Sequence, residues 1–277
     1  MISLLALASS AVWGTSDFLA GVKAKSLPAA AVVGWSQAVA LVVMSVAVLL
    51  RTPHFAPGAW LPWAVLAGLS GSSALICFYA ALSSGTMGVV APIASLGVLV
   101  PVVLGVIEGE APAPVTWIGI LIAIIGVLLA SGPELDGRVS RRPVALAIAA
   151  GTGFGITLYS IDRGSAFSVI NTMWGMRLTS VLLFGAAALV LRRTGGVRAV
   201  DVPMLGLIGV ADLLANVLFG IASSRGLVSV ASVHGSLYPV VTAGLAYAVL
   251  HERLRPVQIA GAATTVAGVV LIAAGSR

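Results

Sequence analysis

The sequence predicts an all-α integral membrane protein with ten transmembrane helices, arranged as two inverted five-helix repeats. Hydrophobic residues make up 59% of the 277 residues, charged residues only 9%, and the mean hydropathy is +1.11. A soluble domain carries about 25% charged residues, so this chain lacks the side chains needed to cover a surface facing water. Apolar runs of about 20 residues, long enough to cross a bilayer, recur from end to end. The second half of the chain also repeats the first.

Short polar breaks divide the chain into ten predicted spans. These spans cover residues 2–22, 29–50, 60–83, 87–107, 114–131, 143–163, 168–191, 203–223, 228–250 and 256–275. The first span lacks the basic segment of a signal peptide and has a counterpart later in the chain, so we interpret it as a retained helix. The longest break, from Ser131 to Pro143, lies midway along the sequence. None of the breaks is long enough for a soluble domain.

The two halves, residues 1–132 and 143–277, repeat each other. Shifts of 141 and then 142 residues align Trp13-Gly14 with Phe154-Gly155, Ser95-Leu96 with Ser236-Leu237, Gly119 with Gly261 and Gly126 with Gly268. Because each half has five spans, an odd number, the second half would enter the membrane from the opposite side. Many secondary transporters have such inverted repeats, and their solute site lies near the bilayer midplane between the repeats.

Several other classes of protein are excluded by what the sequence lacks. The net charge is +6, but the basic residues stand singly or in pairs, so we predict no nucleic-acid partner. Cys77 is the only cysteine, and the three histidines do not have metal-ligand spacing. There is no glycine loop of the Walker type and no nucleophile with a neighbouring base. We therefore predict no enzyme activity, no cofactor and no metal.

The sequence resembles the drug/metabolite transporter superfamily, and within it the EamA-like transporters with ten helices. The resemblance covers residues 2–275 and depends on short motifs that occur in both halves. These motifs are Trp13 to Phe18, Ala91 to Leu96, Gly109-Glu110, Ser236 to Pro239 and His251 to Leu254. Arg177 resembles an arginine often found early in the second helix of such a repeat, although its counterpart in the first half is Ser36 or Gln37.

The resemblance implies a carrier that moves small organic solutes such as amino acids, other metabolites or drug-like compounds. It also implies that transport is often outward and uses no ATP. A passive channel, or a membrane scaffold without transport activity, is the alternative. The excess of arginine over lysine is typical of GC-rich bacteria, so we expect the bacterial inner membrane as the location. The sequence leaves open whether the protein is a monomer or a homodimer.

Positive charges are distributed unequally between the two sides of the membrane. The side of the N-terminus receives four basic residues, Arg51, Arg163, Arg225 and Arg277. The other side receives ten, Lys23, Lys25, Arg138, Arg141, Arg142, Arg192, Arg193, Arg198, Arg253 and Arg255. Since basic loops stay in the cytoplasm, this distribution predicts both termini outside. The family resemblance implies both termini inside.

Charged side chains inside a membrane are costly, so those within spans are candidates for the solute site. Asp212 lies near the middle of the eighth span, and Asn216 follows it on the same face four residues later. Arg177 and Asp17 lie within the seventh and first spans. An ion pair of Arg177 with Asp212 or with Asp17 would lower the cost of burial. Such a pair would either bind solute or protons or only orient the helices. Proton coupling is left open, because burial raises the pKa of a carboxylate whereas a neighbouring arginine lowers it.

Other polar and aromatic residues in the spans complete the predicted substrate-binding set. They are Trp13, Ser72, Tyr159, His234 and Tyr238. Aromatic rings with hydroxyl groups suit organic solutes, whereas a serine in a helix often bonds to its own backbone. The glycine pairs Gly119/Gly126 and Gly261/Gly268 each lie seven residues apart on one face. We predict that the fifth span packs against the tenth through these glycines, with dimerisation as the alternative.

Overall fold

The computed structural model describes residues 2–51, 58–107, 113–135, 141–192, 194–225, 238–251 and 255–275. Over these ranges the chain consists of helices and short connections, with no strand. The helices are α1 (Ile2–Lys23), α2 (Ala29–Arg51), α3 (Trp60–Ser84), α4 (Met87–Ser95), α5 (Leu99–Ile107), α6 (Pro114–Leu135), α7 (Arg142–Leu191), α8 (Val202–Arg225), α9 (Tyr238–Leu250) and α10 (Pro256–Gly275). This confirms the all-helical fold.

The helices differ from the predicted spans in two places. The predicted span 87–107 is divided into α4 and α5 by a 3-10 turn, Leu96–Val98, a few residues after Pro92, which removes a hydrogen bond from α4. Helix α7 covers the two predicted spans 143–163 and 168–191 and is interrupted at Ser168, whose backbone is extended (φ −167°, ψ 112°). The Ser168 hydroxyl accepts a hydrogen bond from the Asn171 amide at 3.3 Å, as an N-cap does, so a second helical limb begins there.

Four segments of the described residues are long and apolar enough to cross a membrane. They are Ala29–Leu50, Trp60–Ser84, Arg142–Val190 and Ala199–Ala222. The third has 49 residues, about 75 Å of helix and more than twice the thickness of a bilayer core, and it contains the break at Ser168. The outer surface is apolar, with Leu49 80% and Val190 81% exposed, whereas Gln37 and Arg177 are 1% and 3% exposed. Polar residues inside and apolar residues outside are what a bilayer solvent requires.

Helix α6 packs against α10 through the predicted glycines. A Cβ atom on Gly119 would lie 2.8 Å from the Gly268 carbonyl oxygen, and one on Gly126 would lie 2.8 Å from the Gly261 carbonyl oxygen. Neither distance leaves room for a methyl group, so the two backbones are in contact. The predicted packing of the fifth span on the tenth is therefore confirmed within one chain.

Helices α1 and α8 run antiparallel and are joined at three levels, seven residues apart. Ser9 donates to the Ala215 carbonyl at 2.8 Å and Ser16 to the Ile208 carbonyl at 3.1 Å. At the end of α1, the Lys23 ammonium lies 2.6 Å from the Asp201 carboxylate. This register places Asp212 of α8 at the level of residue 12 of α1.

Two contacts made by a residue of the first half with the second half have equivalents made by the matching residue of the second half with the first half. A Cβ atom on Gly14 would meet the Tyr238 carbonyl oxygen and Val241, both at 2.6 Å. A Cβ atom on Gly155 would meet the Gly97 carbonyl oxygen and, at 2.5 Å, the Cβ atom of Val100. The shift of 141 residues relates each partner in the second contact to one in the first. In the same way, Gly126 lies against Thr265, and Gly268 lies against Ala123, 142 residues before Thr265.

Candidate functional site

A buried ion pair joins the second limb of α7 to α8. The Arg177 Nη2 atom lies 3.0 Å from the Asp212 Oδ2 atom, and the two side chains are 3% and 11% exposed. Gln37 of α2 bridges the pair, because its Oε1 accepts from Arg177 Nη1 at 2.6 Å and its Nε2 donates to Asp212 Oδ2 at 3.4 Å. The sequence left two carboxylates as partners for Arg177, and the structure pairs Arg177 with Asp212.

Asn216 completes this central polar cluster, which consists of Gln37, Arg177, Asp212 and Asn216. The Asn216 amide donates to the Asp212 carbonyl at 2.7 Å and to Asp212 Oδ1 at 3.1 Å, which confirms that the two side chains share a face of α8. Two Arg177 nitrogens, Nε and Nη2, are enclosed and donate no hydrogen bond within the described part of the chain. Nη2 is close to Asp212 but is not aligned for a hydrogen bond, so the ion pair is held by charge more than by geometry.

The central polar cluster lies near the middle of the helices that carry it. Asp212 is about 2 Å from the midpoint of α8 along the axis, and Gln37 is about 5 Å from the midpoint of α2. Arg177 lies a similar distance from the middle of the second limb of α7. One member comes from the first half of the sequence and three come from the second half. The cluster is therefore central in depth and shared by both halves.

Asp17 of α1 is a second buried carboxylate beside the cluster. It is 7% exposed and has no hydrogen bond or ion pair with any described residue. Asp17 and Asp212 lie on two helices, α1 and α8, that pack directly against each other. The antiparallel register of α1 and α8 separates the two by about five residues, or about 8 Å along the helices.

Aromatic residues lie on the helix segments next to Asp17. Trp13, one turn earlier on α1, packs against Phe219 with ring centroids 5.6 Å apart. Tyr238, the first residue of α9, lies against α1, because its carbonyl oxygen would be 2.6 Å from a Cβ atom on Gly14. Tyr79 of α3 is only 1% exposed and belongs to the same buried cluster as Phe18, the residue after Asp17. Trp13, Asp17 and Tyr238 are thus brought to one region, together with Tyr79.

Three other predicted residues are placed differently or lie outside the described residues. Ser72 is buried and donates to the Ser180 hydroxyl at 2.8 Å, which joins α3 to α7. The Tyr159 ring contacts Trp63 at 5.9 Å and lies under the Arg163 guanidinium at 5.1 Å, near the break in α7. His234 lies outside the described residues. The membership of these three residues in the substrate site stays a prediction.

Gln37 and Tyr79 were not among the predicted site residues. Gln37 had a signal in the sequence, because the repeat aligns residue 36 or 37 with Arg177, and an uncharged polar side chain there suits a partner of the arginine. Tyr79 had no comparable signal, since one tyrosine in a long apolar span is usually part of the core. Within the described residues, no group of three or more His, Cys, Asp or Glu side chains could hold a metal ion.

A charged cluster at mid-depth in an all-helical membrane protein is typical of membrane transport proteins. The model of the EamA-like transporter family matches residues 1–132 and 141–274, nearly the whole chain, so this protein belongs to that family and is a membrane transporter of small solutes. A crystal structure titled only as that of a protein is similar, with a TM-score of 0.71 and 16% identity, and the match covers 98% of this chain and 96% of that one. At that identity the likeness shows the fold alone. No match was found among curated proteins.

Proposed function

We propose that this protein is a secondary carrier that binds one small organic solute at a time at the central polar cluster and the neighbouring Asp17. The observation that supports this most is the ion pair of Arg177 with Asp212, buried near mid-depth and shared with Gln37 of the other half. Charged groups at that depth are costly unless a function requires them. Export is the direction that the family resemblance implies, and coupling to protons is part of the proposal.

We further propose ten transmembrane helices in two inverted repeats, residues 1–132 and 143–277. The matching contacts between the halves support this. Gly14 contacts Tyr238 and Val241, and Gly155 makes the equivalent contacts with Gly97 and Val100. A pseudo-twofold axis would relate the two sets of contacts. In such an arrangement the solute site lies at the interface of the repeats, and rocking of the halves exposes it to each side in turn. The membrane would be the inner membrane of a bacterium.

The test is solute counterflow in proteoliposomes. A panel of amino acids, amines, sugars and aromatic compounds is first screened by thermal shift in detergent, since a bound solute stabilises the folded protein by mass action. The best stabiliser is then loaded unlabelled inside the vesicles, and the labelled form is added outside. A carrier accumulates label transiently above equilibrium. A passive channel only equilibrates it, and a scaffold admits none.

The variant that links transport to the cluster is Asp212→Asn, which keeps the shape and removes the charge. The matched control is Asp162→Asn, the same change on an exposed carboxylate near the break in α7. We expect counterflow to be lost in the first variant and kept in the second. Full counterflow by a folded Asp212→Asn variant would remove Asp212 from the site, and Asp17 would then be the leading candidate.

A further inference from the structure

We infer that the solute of this carrier is an organic cation whose positive group binds at Asp17. This inference rests on the proposed function and concerns the charge of the solute, which the family assignment leaves open. The argument starts from the balance of buried charge. Three ionisable side chains lie in the middle part of the described helices, and two of them, Asp17 and Asp212, are carboxylates facing one guanidinium, that of Arg177.

The arginine is already committed to Asp212. Its Nη2 atom lies 3.0 Å from that carboxylate, and its Nη1 atom donates to Gln37 at 2.6 Å. No ion pair or hydrogen bond from any described residue reaches Asp17, although its side chain is more than nine-tenths buried. An ionised Asp17 carboxylate would therefore be a buried charge without a partner, which is costly, so the group needs either a bound proton or a bound cation.

A monovalent cation would bring the buried charge to zero. A zwitterion would leave one excess negative charge, and an anion would leave two. An anionic group would also need donors, but the unpaired Arg177 Nε and Nη2 atoms are enclosed by protein in this conformation. Asp17 and Asp212 both retain some exposure, and of the two only Asp17 has no ion-pair partner among the described residues, so it is the carboxylate that is free to bind a solute.

The aromatic residues around Asp17 fit the same class of solute. Trp13 is half-buried one turn before Asp17 on the same side of α1, and Tyr238 begins α9 against Gly14 of α1. Aromatic faces attract ammonium and quaternary ammonium groups, and tryptophan does so best. A carboxylate with flanking aromatic rings would thus bind an amine or quaternary ammonium group attached to an apolar body.

Three ring compounds of similar size and different charge test this inference. They are phenyltrimethylammonium, with a fixed positive charge, neutral benzamide, and benzoate, which is anionic at pH 7. Binding of each labelled compound to the purified full chain in detergent is measured by equilibrium dialysis. We expect the cation to bind at least about tenfold more tightly than the other two compounds, as one charge-assisted contact allows.

Asp17→Asn should weaken binding of the cation about 10- to 100-fold and leave benzamide binding unchanged. Asp17→Glu keeps the charge and should keep the preference for the cation. If Asp17→Asn does not fold, the binding of the three compounds to the wild type and to Asp17→Glu tests whether the solute is a cation. Asp162→Asn, at an exposed position, should change nothing.

Counterflow of the same compounds separates this inference from the proposed function. Counterflow of benzoate or benzamide without binding of the cation would overturn the inference that the solute is a cation. The same result would still support the proposal that the protein is a carrier. Binding of the cation at Asp17 without counterflow would support the charge assignment and refute the carrier. Equal binding of the cation by wild type and Asp17→Asn, or no binding by wild type, would overturn the inference.

Discussion

Removal of both charges from the buried ion pair separates its contribution to stability from its contribution to transport. The perturbation is a double-mutant cycle of Asp212→Asn and Arg177→Gln. Each substitution keeps a polar side chain of similar size and removes one charge. In the first variant the amide oxygen can still accept from Asn216 at the position of Oδ1, 3.1 Å from the donor. The losses are therefore the charge and the acceptor that Oδ2 offers to Gln37.

The magnitude follows from the distance and the burial. Unit charges 3.0 Å apart attract by about 5–6 kcal/mol at an effective dielectric constant of about 20, before the cost of desolvation is subtracted. Removal of one partner from a buried pair leaves the other charge uncompensated and typically costs about 3–5 kcal/mol. We expect about 3 kcal/mol for Asp212→Asn, because Gln37 still bonds to Arg177. The double variant should lose less than the sum of the single variants, by at least about 1.5 kcal/mol.

The assay is unfolding of purified protein in mixed micelles with increasing denaturing detergent, followed by circular dichroism. Counterflow is measured on the same preparations with the solute that gives the largest thermal shift. We expect the double variant to recover stability and not to recover transport. If its loss of stability equals the sum of the two single losses, Arg177 and Asp212 are not coupled. If the double variant transports at the wild-type rate, the charges serve only to orient the helices.

Three further predictions follow from helix packing and charge. Gly126→Ala should lower the free energy of unfolding by about 1–3 kcal/mol through overpacking, whereas Gly244→Ala, where a Cβ atom meets nothing within 4 Å, should not. Lys23→Gln should lower the melting temperature, because Lys23 forms an ion pair with Asp201. The decrease should be smaller at high salt, which screens the pair, and Lys25→Gln at an exposed position is the control. The unequal distribution of Lys and Arg predicts both termini outside, whereas the family resemblance implies both inside. An active C-terminal alkaline phosphatase fusion would support the first orientation, and a fluorescent cytoplasmic reporter at that terminus would support the second.

Much of the architecture could be predicted from the pattern of residues in the sequence. Apolar runs of about 20 residues predict spans because the backbone must satisfy its hydrogen bonds inside the bilayer. The repeat predicted that Gly119 and Gly126 lie against Gly261 and Gly268, and the contacts of α6 with α10 confirm it. Small residues on one helix face allow another backbone to approach, so this contact can be anticipated from spacing alone.

The candidate site could be predicted only in part. Asp17, Arg177 and Asp212 were identified because a charge within an apolar span has few interpretations. The spacing could not decide which carboxylate pairs with Arg177, and it did not indicate that Gln37 joins both partners. It also grouped Tyr159 with these residues, whereas the described contacts of Tyr159 are with Trp63 and Arg163.

The sequence by itself determined that this protein lies in a lipid bilayer, how many apolar runs it has, that its two halves are duplicated, and which residues cannot face lipid. The tertiary structure decided which of those residues meet, where the predicted fourth span breaks, and that Asp17 has no ion-pair partner among the described residues. The physical reason is that local periodicity determines which face of a helix a side chain occupies. The rotation and register of distant helices result from packing along their whole length, and they decide whether a guanidinium on α7 reaches a carboxylate on α8 or on α1.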